Sequence, residues 1–201
     1  DFFGGLEFAV AGLLLSPDFL FRVELGAEDP ARPLLVRYDG YELASRLSYL
    51  LRNTTPDAAL LDAALAGELN TPAGLDAQLT PMLNDPRVHD AMRTFHAERW
   101  GIDNTSTRAK DAALFPAMTD SLAAAMREDV LRTLDELTFA QAGDFRSAFD
   151  TRISFVDAEL AALYGVPGPQ SGFARVELPA LGPRLGLLGK AALLARNAHF
   201  K

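Results

Sequence analysis

Residues 40–101 read GYELASRLSYLLRNTTPDAALLDAALAGELNTPAGLDAQLTPMLNDPRVHDAMRTFHAERWG, and they repeat one instruction. A short polar side chain precedes a proline, and an apolar stripe at three- and four-residue spacing follows. Thr55-Pro56, Thr71-Pro72 and Asp85-Pro86 are such pairs. The polar oxygen accepts an N–H that the first helical turn leaves without a partner, and proline at the first helical position has no N–H to satisfy. Each pair therefore predicts a helix start. Upstream, Asp39 with Glu42 three residues later predicts a capping box. The expected inward stripes are Leu43, Leu47, Leu50 and Leu51, then Leu60, Leu61 and Leu65 up to a stop at Gly67. They continue with Leu75, Leu79, Met82 and Leu83, then with Val88, Met92 and Phe95, closed by Trp100. Pro81 lies inside the third stripe, deletes the bond to the Ala77 carbonyl and should kink or shorten that helix.

The flanking segments read the same way. Phe2–Leu15 is a helical apolar stretch with Leu6, Val10, Leu13 and Leu14 on one face, and Ser16-Pro17 starts a short helix expected to turn Phe19, Leu20 and Val23 inward. After a polar connection from Ile102 to Pro116, Thr119 or Asp120 caps the longest helix, about Ser121 to Gln141, ended by Gly143-Asp144. Its stripe is Leu122, Met126, Val130, Leu134 and Leu137, and Glu128 with Arg132 forms an i,i+4 pair. Phe145–Ile153 suggests a short helix and turn, Phe155–Tyr164 a helix stopped by Gly165, and Leu185–Arg196 a last helix. Arg175–Leu178 alternates polar and apolar residues and suggests a single strand or extended chain. These readings give an all-α bundle of about eight crossed helices with at most one or two very short strands.

The totals narrow the function. A hydrophobic share of 49% and a charged share of 23% are those of a globular chain rather than a disordered one. A net charge of -8 with scattered arginines disfavours a nucleic-acid partner. With no cysteine, the chain has no disulfide, thiolate nucleophile or cysteine-ligated cluster. The apolar run at Leu6–Leu15 is interrupted by Glu7 and Gly12 and is too short to span a bilayer. No initiator methionine is present, which suggests a piece of a longer protein.

Chemistry-bearing patterns are sparse. His89 and His96 stand two helical turns apart, too far for one metal. The expectation is a surface His89 and a partly buried His96 tied to a carboxylate or carbonyl. Neither Glu98 nor Glu128 has a histidine three residues on, so the Glu-x-x-His unit of di-iron bundles is missing. The adjacent acids Glu28-Asp29, Glu128-Asp129 and Asp135-Glu136 diverge by about 100° on a helix and read as solvated faces. The run GPRLGLLGKA, residues 182–191, has neither the glycine spacing nor the Ser or Thr of a phosphate loop; Gly186 and Gly189 suggest close helix packing instead. Phe95 and Trp100 should anchor their helix end while Arg99 snorkels past. Arg46 with Glu42 forms another candidate ion pair. No catalytic constellation emerges. Were the chain part of an enzyme completed elsewhere, Arg46, His96, Glu98 and Glu128 are the groups it would contribute.

The ordered segments LLSPDFLFRVE, YELASRLSYLLRNTTPDAALLDAALAGEL, LTPMLNDPRVHDAMRTFHAERWG, LFPAMTDSLAAAMREDVLRTL, ISFVDAELAALYGVPG and RLGLLGKAALLA resemble a helical domain of unknown function, number 1592. Such domains occur in large secreted proteins of planctomycetes and myxobacteria, strung with or encoded beside c-type cytochrome modules. The resemblance implies three parts: residues 1–34 as the end of a preceding region, 35–165 as the helical domain, and 166–201 as the opening of an adjoining domain, number 1588. Thr80-Pro81 departs from the basic pair usual there. The resemblance further implies export to the periplasm, outer membrane or cell surface, and neighbouring domains or a c-type cytochrome as partner. Any haem would lie in the parent or partner, with no cofactor or metal in this chain. The expected role is a non-catalytic scaffold or docking module. The alternatives are part of a hydrolytic or redox enzyme, or an oligomerisation or surface-assembly subunit.

Overall fold

The computed structural model describes residues 1–103, 110, 111, 113–140 and 144–198. The fold is mostly α, as the capping pattern requires. The chain divides into two compact units, Asp1–Ala91 and Met92–Lys201.

The first unit holds α1 (Phe2–Leu14), α2 (Pro17–Leu20), α3 (Gly40–Arg52), α4 (Ala58–Leu65) and α5 (Pro72–Leu83), with the ladder β1 (Ala27–Glu28) and β2 (Val36–Arg37) between α2 and α3. Ser16 and Thr71 cap α2 and α5 with their side chains, and Asp39 and Glu42 form the capping box of α3. Thr55-Pro56 does not start a helix. Asp57 caps α4 instead, its carboxylate accepting from the Leu60 N–H at 3.0 Å. The carboxylate reaches that orphan donor from the N-cap position, so the start moves past the proline. Pro81 is accommodated inside α5, which continues two residues to Leu83.

The buried stripe of α3 is only partly the leucine stripe: Leu51 is buried and Leu43 and Leu47 are half-buried. Gly40, Ala44, Ser48 and Leu51 face inward, whereas Leu50 is 56% exposed. Gly40 explains the rotation: a Cβ there would stand 2.5 Å from the Ala64 carbonyl oxygen. α3 and α4 approach through small residues, Ala63 and Ala64 on the α4 side, and Leu50 is turned away. Leu61 and Leu65 are likewise exposed, while Leu60 is buried. Phe19, Leu20 and Val23, expected inside, are also exposed.

α6 (Arg87–Trp100) runs through the division between the units. The second unit contains α7 (Asp120–Asp135), extended by a π-turn over Glu136–Ala140, then a 3-10 turn at Phe145–Phe149, β3 (Ile153–Val156), α8 (Ala158–Tyr164), β4 (Ala174–Glu177), a 3-10 turn at Leu187–Gly189 and α9 (Ala191–Asn197). Thr119 caps α7. The expected end of that helix at Gln141–Gly143 and residues 104–109 and 112 of the preceding connection lie outside the described residues. Here the leucine stripe is right: Leu122, Met126, Val130, Leu134 and Leu137 are all buried.

β3 and β4 pair antiparallel, with Ser154 opposite Val176 and Val156 opposite Ala174. Phe155 and Val156 therefore belong to a strand, and helix α8 starts only after Asp157, which caps it through the Leu160 N–H. β-branched Ile153 and Val156 favour the extended form, and alternation turns Ser154 and Val156 inward.

The GPRLGLLGKA run is also not one helix. Gly186 has φ +60°, and a Cβ on it would stand 2.0 Å from the Phe149 carbonyl oxygen. Its close packing is real, but it serves a turn that precedes α9. Gly186→Ala should lower the stability of the second unit by at least about 2 kcal/mol, from left-handed strain plus the clash. Gly172→Ala has comparable strain at φ +64° and open space around it. It should cost only about 1 kcal/mol. Urea unfolding followed by the fluorescence of Trp100, the sole tryptophan, measures both.

Candidate functional site

The most concentrated polar chemistry of the second unit is a buried ion pair. Lys190 Nζ lies 2.8 Å from Asp129 Oδ1, and the two side chains are 2% and 0% exposed. The amine also reaches Thr133 Oγ1 at 3.0 Å, the Ile153 carbonyl at 2.7 Å and Ser154 Oγ at 2.9 Å. Asp129 Oδ1 accepts from Ser154 Oγ at 2.7 Å and from the Phe155 N–H at 2.8 Å. Its Oδ2 accepts from the Tyr164 hydroxyl at 2.8 Å, which itself accepts the Ala191 N–H at 3.0 Å.

Local rules place each group. Asp129 and Thr133 are four residues apart on the buried side of α7, so they share a face. Strand alternation in β3 turns Ser154 inward and leaves the Ile153 carbonyl and Phe155 N–H available. Tyr164 ends α8, and Gly165, at φ +68°, turns the chain away. Lys190 occupies the N-cap position of α9, where its own side chain makes no cap. The Tyr164 hydroxyl instead serves the orphan Ala191 N–H. Burial pushes the Lys190 amine below its ordinary value, with Asp129 opposing that shift. Burial, then the Asp129 charge, pushes the Tyr164 hydroxyl far up.

A serine hydroxyl 2.9 Å from a lysine amine is the contact used by Ser–Lys hydrolases. Its surroundings here point elsewhere. Ser154 is 0% exposed and donates its proton to Asp129, while the amine is occupied by four acceptors. An ammonium with its three protons engaged is a clamp between α7, β3 and the start of α9, not a base facing substrate.

The residues singled out in the sequence are dispersed. Arg46 pairs with Glu24 at 3.0 Å and lies over the Tyr38 ring, rather than pairing with Glu42. Glu42 is taken up by the Leu25, Gly26 and Asp39 N–H groups. Glu98 is exposed. Glu128 receives Arg93 at 2.7 Å, the expected Arg132 at 3.1 Å and Arg127 at 3.4 Å, while Arg93 also reaches Asp135 at 2.7 Å. His96 is buried but not tied to a carboxylate through Nδ1, which has no hydrogen-bond partner. The ring stacks on Phe145 at 5.9 Å and meets the edge of Phe95 at 5.3 Å. Aromatic packing won because this end of α6 is lined by rings. Phe95 itself is 50% exposed, and the Arg99 guanidinium lies 5.5 Å over the Trp100 ring. His89 is exposed, and His199 lies outside the described residues.

Two acids read as solvated are buried. Asp129 is the centre just described, and Asp29, 2% exposed, accepts the Ala31 N–H and the Arg32 guanidinium. One signal could have found Asp129: positions 129 and 133 lie within the sector that the α7 stripe marks as buried, so a charge there needs an internal partner. Nothing comparable marked Lys190, whose partners come from segments 36 to 61 residues away.

Among the described residues no group of three or more His, Asp or Glu side chains could hold a metal, and no helix is long and apolar enough to cross a membrane.

A family model described as PSD4, protein of unknown function (DUF1592), matches residues 38–166. The chain belongs to this family. No curated protein and no solved structure matches it. The matched segment includes Asp129, Thr133, Ser154 and Tyr164 of the clamp; Lys190 lies beyond it.

Breaking the pair from either side should be severe. Asp129→Asn and Lys190→Met should each destabilise the second unit by about 3–5 kcal/mol, because each leaves a buried group without its counter-charge. The double variant should cost clearly less than the sum, and a double-mutant cycle on Trp100 fluorescence in urea measures the coupling.

A second expectation concerns pH. Burial holds the His96 imidazole below its ordinary value of 6.5, against a smaller opposing effect of Asp135. Unfolding therefore takes up a proton in the interval below about pH 6.5. The contribution of neutral His96 is fully present above that pH and is lost as pH falls through the folded-state value. His96→Phe should flatten the decline of the urea midpoint between about pH 6.5 and 5, relative to wild type.

Proposed function

We propose that this chain is a non-catalytic helical scaffold and docking module of a larger exported protein, and that α1 is its docking element. The observation that carries the reading is that α1 has no buried residue. Every large apolar side chain from Phe2 to Leu25 is exposed, with Phe2, Phe3 and Phe8 at 77%, 77% and 81%. The five phenylalanines of this segment alone present roughly 700 Å² of apolar surface. A monomer seldom leaves more than a few hundred Å² in one patch, and a stable interface takes about 800 Å² from each partner.

The occupant that fits is a neighbouring protein module with an apolar groove and a basic rim. Residues 1–25 carry Asp1, Glu7, Asp18 and Glu24 against Arg22, four acids and one base. A lipid surface fits poorly. Thirteen helical residues are only about 20 Å long, and the acids repel anionic headgroups. A second copy fits poorly too, since pairing α1 about its midpoint sets two Glu7 carboxylates beside the same axis.

The Lys190–Asp129 pair, buried and with its hydrogen-bonding groups engaged, suits a structural rather than a reactive interior. The resemblance to exported, cytochrome-associated proteins is what suggests the periplasm or cell surface and a c-type cytochrome among the neighbours.

Hydrogen exchange tests the reading. In the isolated 201-residue chain the amides of Phe2–Leu14 should exchange rapidly, since a helix this short is marginal without packing. In the intact parent protein they should slow by about a hundredfold or more, and Leu6→Glu with Leu13→Glu should abolish the slowing. Equal exchange in both settings overturns α1 as the docking element. A Soret band in the purified parent would establish haem, and its absence would remove the cytochrome from the proposal.

A further inference from the structure

The second unit contains a cavity of about 420 Å³, partly open to solvent, whose lining is almost wholly apolar. That size falls in the range of small-molecule sites, roughly 300–1,000 Å³. Leu122 and Met126 of α7, Leu163 of α8 and Leu194 of α9 form aliphatic walls, with Phe115 facing them. A ligand body that settles there can carry few hydrogen-bonding groups, because the walls are aliphatic and aromatic apart from Arg184 and Lys110, whose amine donates to the Ala198 carbonyl at 2.9 Å.

Arg184 also lines this cavity. It is half-buried, lies 4.5 Å over the Tyr164 ring and donates once, to the Gly189 carbonyl at 3.2 Å. No carboxylate pairs with it among the described residues, whereas Arg93, Arg127, Arg132, Arg152 and Arg175 of the same unit each hold one. The nearby Asp129 charge is already balanced by Lys190. Arg184 is therefore a partly desolvated cation with free N–H groups at the edge of an apolar chamber. That combination calls for one anionic end on an otherwise apolar molecule.

We infer that this cavity binds an amphipathic monocarboxylate of fatty-acid type, its alkyl chain between α7, α8 and α9 and its carboxylate on the Arg184 guanidinium. The inference is separate from the docking role of α1, which lies in the first unit. A planar guanidinium matches a carboxylate through two parallel N–H donors. The two methionines in the lining, Met118 and Met126, let the walls adapt to a flexible chain.

Isothermal titration of the 201-residue chain with decanoate and with decan-1-ol tests this. Decanoate should bind one per chain and about tenfold or more tighter than the alcohol, which lacks the charge. Arg184→Gln should bring decanoate down to the level of the alcohol and leave the alcohol unchanged. Leu194→Trp, at a half-exposed wall position, should weaken both by filling the chamber. No heat with either ligand, equal affinity of wild type for both, or an Arg184→Gln variant that binds decanoate like wild type overturns the inference. The comparison of the two ligands on wild type needs no variant to fold.

Discussion

An ammonium and a carboxylate removed from water must compensate each other and every remaining donor and acceptor around them. In the second unit, Lys190 and Asp129 meet that condition with Thr133, Ser154, Tyr164 and backbone groups of β3. Such a pair is weak evidence of net stability, because an apolar replacement of equal volume often does as well. Its effect is on which arrangement forms. Slipping β3 by one residue would turn Ser154 outward, and displacing α9 would strand the amine, so alternatives carry an uncompensated charge. The network thereby fixes one register of strand against helix and one position for the start of α9. Within that frame the apolar residues Leu122, Val130, Leu134, Val156, Leu160 and Leu187 close into a single cluster.

The first unit is organised by different means. Its α3 and α4 meet through Gly40, Ala44, Ala63 and Ala64, where backbone comes close to backbone. The leucines that the small residues displace add to the exposed apolar surface, which α1 dominates. Leu51, Leu60, Leu69 and Met82 supply the larger buried side chains of this unit.

Much of the fold was legible because its signals are local. Ser16, Asp39, Thr71 and Thr119 all receive a backbone N–H two or three residues on, and such a contact depends only on the nearby chain. The α7 stripe was readable because that helix is buried along most of its length. Thr55-Pro56 misled because Asp57, two residues later, offers an equally good cap. The α3 stripe was right at Leu51 and wrong at Leu50, because periodicity reports which residues share a face and not how that face is centred on the core. Of the candidate groups, the Glu128–Arg132 pair was readable from its spacing. The capture of Glu128 by Arg93 and the stacking of His96 on Phe145 join residues 35 and 49 positions apart, and no local pattern encodes them.

The sequence by itself determined a mostly helical chain, the starts of α2, α3, α5 and α7, the buried side of α7 and the family to which residues 38–166 belong. Those follow from backbone hydrogen-bonding needs and helical period, which act over a few residues. Only the tertiary structure decided that Asp129 meets Lys190, that Gly186 makes a turn against Phe149, and that Arg184 borders an apolar cavity. Each requires distant segments to converge, and the energy of such a convergence depends on what else is desolvated with them.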